Sequence, residues 1–465
     1  EILPSDWSSD VCSSDLKFDF EYIVIGSGPA GSAVAVGLAG MRKKVAVIDG
    51  GEVGGSNCER NIPYLVGLKF ANLYNETKKW LGVRALGLNH LNLPTIVSLM
   101  EQASQRAKEA ERKKLKDAGV VEIKGYANLL NNYTVAVGKQ QFSAEKLILA
   151  TGAKLNIGEI SGVGEVDYLT PETAIKTRRM PRVVLVVGGG RSGCEIGEYF
   201  AKLGVKVLIM ERAERLLPRE DQEVGEMLAE HFYELGVEVI NNAKVVALEK
   251  DGENKRVIFM KDGVEKLVRV DAVVLATGTR PVLDYGLENA GIQFNKTGVI
   301  IGKNLQTTTK NIFAVGDILG GDSSTELATY QGMMLAQILE RRSKDELNYK
   351  GFWRQIMTEP EILTIGFSED DLIKRDQRYR KATSDITETV IGKISTDSKG
   401  FVKLLVDHNN RLIGAVIMAE KMGAMATELI LAIRNQMTID RIASLPHDMN
   451  GSTIMIKIAA QKLMK

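Results

Sequence analysis

Glu21-Tyr-Ile-Val-Ile-Gly-Ser-Gly-Pro-Ala-Gly31 and Val183-Val-Leu-Val-Val-Gly-Gly-Gly-Arg-Ser-Gly193 are the two stretches on which the reading of this sequence turns. In each, a short apolar run meets a G-x-G-x-x-G turn. A stretch suited to a helix follows, Ser32–Gly40 in the first copy and the chain up to Leu203 in the second. A further apolar run comes next, Val45–Ile48 or Val207–Met210, and leads into an acid, Asp49 or Glu211. In both copies the acid lies 23 residues beyond the first glycine. One such turn is a weak signal, because glycine-rich turns are common. Two, each between strand and helix and each with its acid at the same distance, are a strong one.

The chemistry explains the pattern. Gly26 and Gly188 permit the tight turn, Gly28 and Gly190 let a pyrophosphate approach the backbone, and Gly31 and Gly193 let the helix pack on the sheet. The helix N-terminus then offers free N–H groups and partial positive charge to the phosphates. Asp49 and Glu211 are placed to hydrogen-bond ribose hydroxyls. A second duplication supports the first: Leu147-Ile-Leu-Ala-Thr-Gly152 and Val273-Val-Leu-Ala-Thr-Gly278 each run from an apolar strand into Ala-Thr-Gly. Thr151, Gly152 and Gly278 would close the two dinucleotide-binding units. The rival reading, that both turns serve packing alone, needs the spacing to coincide twice.

Working outward, 465 residues suggest about three domains. Charged residues make up 26%, hydrophobic ones 44%, and the formal net charge is +1. That balance gives no basic excess for nucleic acid. No apolar run reaches the roughly 18 residues of a membrane-spanning helix. Three cysteines, Cys12, Cys58 and Cys194, make no disulfide scaffold, and the chain reads as cytoplasmic. Residues 1–17 are expected to form a leader outside the fold. Within it, Glu1–Leu16 repeats Ser-Ser-Asp, lacks the build of a signal peptide, and reads as translated adapter text foreign to the protein.

The order of elements resembles the lipoamide dehydrogenase and glutathione reductase family of pyridine nucleotide–disulfide oxidoreductases, from Phe18 to Lys465. Asn311-Ile-Phe-Ala-Val-Gly-Asp317 is similar to that family's second FAD motif, in which Asp317 would meet the ribityl chain, with Gly316 beside it in the cofactor site. The helix after Leu327 would then point its N-terminus at the flavin. Thr358-Glu-Pro-Glu361 through Gly366, Gly400–Lys403 and Leu412–Ala415 resemble its dimerisation domain. The resemblance implies an α/β fold of two Rossmann-like dinucleotide-binding domains, for FAD and NAD, plus a C-terminal α+β dimerisation domain. The FAD domain would be residues 18–152 and 280–342, the NAD domain 153–279, and the dimerisation domain 344–465. A homodimer is implied, with the apolar run Met425–Ile433 at its interface. Glu211 favours NADH over NADPH, since it would repel a 2′-phosphate; Arg212 and Arg215 nearby soften that choice.

The redox centre departs from the family. Its two cysteines and following lysine are met here by Gly54-Gly-Ser-Asn-Cys58-Glu-Arg-Asn61-Ile-Pro63-Tyr-Leu65, one residue short. Aligned on Pro63, Asn61 stands for the flavin-side cysteine and Leu65 for the lysine. That lysine pairs in the family with a glutamate matching Glu195, which is thereby left without its partner. Near the C-terminus, Met449 holds the place of the acid–base histidine and Ile454 that of its glutamate; His447, two residues upstream, alone has a match.

Cys58 is either a lone reactive thiol or a remnant, Cys194 reads as packing, and His90, His231 and His408 lack ligand spacing. No metal site is expected. Glu101–Lys116 reads as a solvated helix face in the FAD domain. The candidate catalytic residues are therefore Cys58, Glu195 and His447. Two classes of function follow. One is an FAD-dependent NAD(P)H oxidoreductase with an acceptor other than a disulfide, for which the soluble transhydrogenases offer a parallel. The other is a non-catalytic flavin-binding relic, which would be expected to lose one nucleotide site.

Overall fold

Val, Ile and Leu fill the short runs beside both glycine turns, and branched side chains suit strands covered on two faces. In the computed structural model these runs are parallel strands. The structure describes residues 17–79, 92–321, 324–342, 347–394, 399–419 and 422–465. Residues 1–16 of the leader, with Cys12, as well as His90 and the expected domain start at Lys344, lie outside the described residues.

The chain divides into two compact units. The first takes in Glu1–Gly55, Lys108–Ala153 and Pro281–Glu346. Its sheet runs Val121–Lys124, Val45–Asp49, Phe20–Ile25, Gln140–Leu149, and Ile312–Ala314 pairs with Gln140–Leu149 as well. These neighbours are parallel, with Ile23 opposite Leu147 and Ile312 opposite the same residue. The helix Pro29–Gly40 starts three residues before the expected Ser32, because Pro29 sits at its first position with φ already suited to a helix. It packs closely on Thr325–Leu339: a Cβ on Gly332 would stand 2.3 Å from the carbonyl oxygen of Ala30.

The second unit takes in Ser56–Ala107, Lys154–Arg280 and Leu347–Lys465. Its parallel sheet runs Glu238–Ile240, Lys206–Met210, Val183–Val187, Ala272–Leu275. A five-stranded antiparallel sheet follows in the order Trp353–Ile356, Glu361–Gly366, Leu412–Ala419, Phe401–Val406, Arg380–Asp385. Residues 56–107 therefore group with the second glycine turn, whereas the sequence reading placed them with the first. The reason is packing. Tyr64, Leu68, Ala71 and Met100 share one apolar core with Cys194, Tyr199 and Phe200. Gly67 permits it, since a Cβ there would meet Met100 Cε at 2.2 Å. The charged stretch of the helix Leu93–Asp117 is mostly exposed from Glu101 onward, as a solvated face should be.

The apolar run Met425–Ile433 differs from expectation. It lies in the helix Gly423–Arg434, where Met425, Leu429, Ala432 and Ile433 are buried in the core beside the antiparallel sheet. Their spacing of four, three and one is a single helical stripe, and the sheet covers it. Leu431, on the other side of the helix, is 55% exposed. No helix among the described residues is long and apolar enough to cross a membrane.

Candidate functional site

The two glycine turns fold alike, residue for residue. Gly26 has φ +105° and Gly188 φ +107°, a region that L side chains rarely adopt. A Cβ would stand 2.3 Å from the carbonyl oxygen of Ala150 in the first turn and 2.5 Å from that of Ala276 in the second. On Gly31 a Cβ would lie 1.9 Å from Gly26 O, and on Gly193 1.8 Å from Gly188 O. Gly28 and Gly190 are different: both are extended, both cap a helix without a side-chain bond, and a Cβ on either would meet nothing within 4 Å. Each turn thus offers an open, side-chain-free concavity over a helix N-terminus, which fits a dinucleotide pyrophosphate.

Both acids grip their own turn. Asp49 Oδ2 accepts from Ser27 N and Ser27 Oγ, each at 2.6 Å, and Oδ1 accepts from Gly51 N at 2.7 Å. Glu211 Oε2 accepts from Gly189 N at 2.6 Å and Oε1 from Ala213 N at 2.8 Å. Carboxylate oxygens carry two acceptor sites each, so capacity is left for ribose hydroxyls. Arg215 is held away from that work, donating to Leu217 O at 3.1 Å and Glu220 O at 2.8 Å.

In the first unit, Gly316 (φ +78°) and Asp317 follow the strand Ile312–Ala314 and line a cleft with Gly320, Ser324, Leu327, Ala328 and Gln331. Gly316 N donates to Gln331 Oε1 at 2.8 Å. The helix here begins at Thr325, ahead of Leu327, because Ser324 Oγ accepts from Leu327 N at 3.0 Å. Thr151 Oγ1 donates to Val282 O at 3.3 Å, and Gly152 and Gly278 both take positive φ.

The candidate redox segment lies in the second unit. Asn57–Asn61 is a π-helical turn, with Ile62 N bonded to Asn57 O, ahead of the helix Ile62–Lys79. Such turns are rare and often mark functional segments. Cys58 is 1% exposed, whereas Leu65 is 51% exposed. Burial, and then the carboxylates of Glu195, Glu198 and Glu211, push the Cys194 thiol well above its usual range, so it is no nucleophile.

Glu195 does have a cation, contrary to the expectation that its partner is missing. Arg191 Nε lies 3.2 Å from Glu195 Oε1, one turn away on the same helix, and Met357 N donates to that oxygen at 3.1 Å. Sequence reading looked for the cation at Leu65 and missed the i, i+4 pair that the sequence itself carries. His447 is committed at both ring nitrogens: Nδ1 lies 3.0 Å from Leu445 O and Nε2 2.9 Å from Glu428 Oε1. Glu428 had no place in the sequence reading. Met449 is exposed and Ile454 buried, and neither can move a proton. His231, given no role, meets Glu198 Oε1 at 3.0 Å.

Comparison with known proteins gives a consistent result. The family model described as pyridine nucleotide-disulphide oxidoreductase matches residues 20–338, and that of its dimerisation domain matches residues 354–448. Mercuric reductase from Bacillus cereus is 27% identical, over 94% of this chain and 70% of that protein. Dihydrolipoyl dehydrogenase from Staphylococcus aureus is 28% identical, over 93% of this chain and 94% of its own length. Among solved structures, the HOCl-induced flavoprotein disulfide reductase RclA from Escherichia coli has a TM-score of 0.84 at 22% identity, covering 96% of this chain and 99% of that one. LpdA from Mycobacterium tuberculosis has a TM-score of 0.85 at 23% identity, covering 96% and 100%. These two show the shared fold.

The three bonds made by Asp49 generate a prediction. Asp49→Ala should strip the first turn of its internal acceptor and weaken FAD retention by ~1–3 kcal/mol, the cost of unpaired donors. Flavin absorbance after dialysis reads this, and a variant that retains FAD as the parent does would refute the role given to Asp49.

Proposed function

The chain belongs to the pyridine nucleotide-disulphide oxidoreductase family, and from that premise we propose that it moves an electron pair from NADH through FAD to an acceptor other than a disulfide. The family couples FAD to NAD(P)H, and both glycine cradles here keep the features that such nucleotides need. That speaks against a relic. FAD, when bound, supplies a carrier that takes hydride from a reduced nicotinamide and returns the pair to a second substrate. The chain's own part is to hold both dinucleotides: Gly26, Gly28, Gly31, Asp49, Gly316 and Asp317 for FAD, and Gly188, Gly190, Gly193, Glu195 and Glu211 for NAD.

One observation carries the choice of acceptor. Asn61 stands where the second redox thiol belongs, beside a buried Cys58. Disulfide exchange runs through a mixed disulfide that a second thiolate must resolve, and asparagine forms none. The attacking thiol of a substrate also needs a base, a step typically worth ~10²–10⁴-fold. Both ring nitrogens of His447 are turned to acceptors of its own fold, Leu445 O and Glu428 Oε1, and neither is aimed at an incoming thiol. Anaerobic titration with NADH should therefore consume one electron pair per flavin. Uptake of two pairs, or dihydrolipoamide turnover that Cys58→Ser abolishes, would restore ordinary disulfide chemistry.

Support for NADH over NADPH comes from the acid Glu211 at the end of the second strand, which would repel a 2′-phosphate, and from Arg215, which is engaged by backbone carbonyls. The expected kcat/KM is higher with NADH; a clear NADPH advantage would overturn this assignment. The matched dimerisation domain is the ground for expecting a homodimer. Light scattering at micromolar concentration should give twice the chain mass, and a monomer would end that expectation.

A further inference from the structure

The strand Val264–Val270 is the outer member of a three-stranded antiparallel sheet that runs Ala243–Asp251, Asn254–Lys261, Val264–Val270. Among the described residues nothing pairs with its other edge. Asp262 and Gly263, both at positive φ, turn the chain from Lys261 to Val264, which are direct partners. A two-residue turn of that kind makes its flanking residues the first hydrogen-bonded pair, and such pairs alternate along the ladder. Val264, Lys266, Val268 and Val270 therefore direct their backbone groups to the inner neighbour. Glu265, Leu267 and Arg269 direct theirs outward, to the open edge.

The side chains sort the same way. Val257, Phe259 and Val270, on one face, are buried in a core against which Val268 packs. Glu265, Leu267 and Arg269 share the other face with their partners Met260, Ile258 and Arg256. Leu267 is 45% exposed there, with Ile258 beside it and Ala247 beyond. Charges along an open edge ordinarily keep other strands away. Against a copy of this strand they do the reverse. An antiparallel pairing about a two-fold axis at Leu267 sets Leu267 against Leu267, Glu265 against Arg269 and Lys266 against Val268. Opposite charges then face one another on both sides of the axis, and each outward-directed backbone group meets one of the same phase. The neighbouring registers of that phase are worse: one sets Lys266 against itself, the other Glu265 against Asp271.

We infer that Val264–Val270 is a docking edge for a second copy of this chain, through which two three-stranded sheets join into one. The contact is isologous, so every pairing occurs twice. Leu267 exchanges backbone bonds with its twin, and Glu265 exchanges them with Arg269. Ala247, Ile258 and Leu267 continue across the axis as one apolar band. Arg269 Nε already lies 2.8 Å from Asp251 Oδ2 in its own chain, and the guanidinium has further donors for the incoming Glu265. The edge is separate from the dimerisation domain, which matches residues 354–448. A single strand pair is a small contact beside the ~1,200–2,000 Å² of a stable interface, so this association grows with concentration. Acting together, the two contacts join homodimers in pairs or in chains.

Sedimentation velocity of the full chain, from micromolar to several hundred micromolar, tests this. The weight-average mass should climb above its value at the lowest concentration. Glu265→Lys and Arg269→Glu should each weaken the association by about tenfold, since each sets like charges opposite one another on both sides of the axis. An equimolar mixture of the two variants should restore it, because each copy then carries the charge that the other lacks. Leu267→Asp, which places two carboxylates on the axis, should abolish the climb without rescue by either. All three positions are exposed, and unchanged melting temperatures verify that the variants fold. A parent mass that stays flat, a climb that both reversals leave intact, or a mixture that does not recover would overturn the inference. The mass at the lowest concentration reports on the C-terminal dimer alone, so the two expectations fail separately.

Discussion

A Cβ on Gly26 would sit 2.3 Å from the carbonyl of Ala150, and one on Gly188 2.5 Å from that of Ala276. That close approach governs the architecture of each dinucleotide unit. The first strand and the Ala-Thr-Gly strand are direct neighbours, so the chain leaving the first strand must turn against its neighbour's end. Only a residue without a side chain can pass there at φ near +105°. The helix then folds back so tightly that its third glycine touches the oxygen of the first, 1.9 Å from a hypothetical Cβ at Gly31 and 1.8 Å at Gly193. The middle glycine is under no such pressure, and its empty surroundings make the cradle. Two glycines serve the backbone, and the third leaves space for a ligand.

The carbonyl that presses on each turn comes from a distant strand, but the turn's own signature is local, which is why it was legible. Strand, turn, helix, strand and acid lie within one short stretch of chain, so spacing alone reports their geometry. The antiparallel C-terminal sheet was legible only through resemblance, since its strands pair across the chain: Glu361–Gly366 with Leu412–Ala419, and Arg380–Asp385 with Phe401–Val406. Misreadings arose where a residue's partner comes from elsewhere. Met425–Ile433 reads equally well as an interface or as a helix stripe covered by its own sheet, and only tertiary packing decides. Residues 56–107 carry no sign of their attachment to the second unit, because Gly67 matters through what it admits, Met100 and Tyr199. The Arg191–Glu195 pair was visible in the sequence but hidden by the search for a lysine at Leu65.

Within the second unit, buried charge ties the NAD-type sheet to the antiparallel one. Glu195 and Glu198 accept the backbone N–H groups of Met357 and Glu359. Glu220 accepts from Arg354 and Thr364, and Asp221 Oδ1 accepts from Glu369 N at 3.1 Å. Lys403 is completely buried against Asp221, Glu223 and Glu369. Burial alone would raise the Glu369 pKa, but bonds from Lys381, Lys403 and Tyr379 outweigh it and bring the carboxyl down to about 2. Buried ion pairs of this kind add little net stability against an apolar alternative, because desolvation offsets attraction. They are particular, however: a carboxylate aimed at one backbone N–H fixes register in a way that an apolar contact does not. Sequence reading sees such acids as ordinary surface charge, since their partners come from other segments.

The two acids that define the cradles carry a further consequence for nucleotide choice. Specificity for a ribose is usually described as a contact between acid and hydroxyl, as though the acid were free to be exchanged. Here Glu211 also supplies the acceptors for Gly189 N and Ala213 N, and it is only 7% exposed. Removing it to admit a 2′-phosphate would leave two donors unpaired at the mouth of the turn. Gly189 is pinned from another side too, since a Cβ there would meet Leu216 Cδ2 at 2.6 Å and Glu211 Cβ at 3.0 Å. The turn and the acid are therefore fitted to each other. Asp49 stands in the same relation to Ser27 and Gly51. A loop that takes its shape from a carboxylate cannot lose that carboxylate without rebuilding the turn.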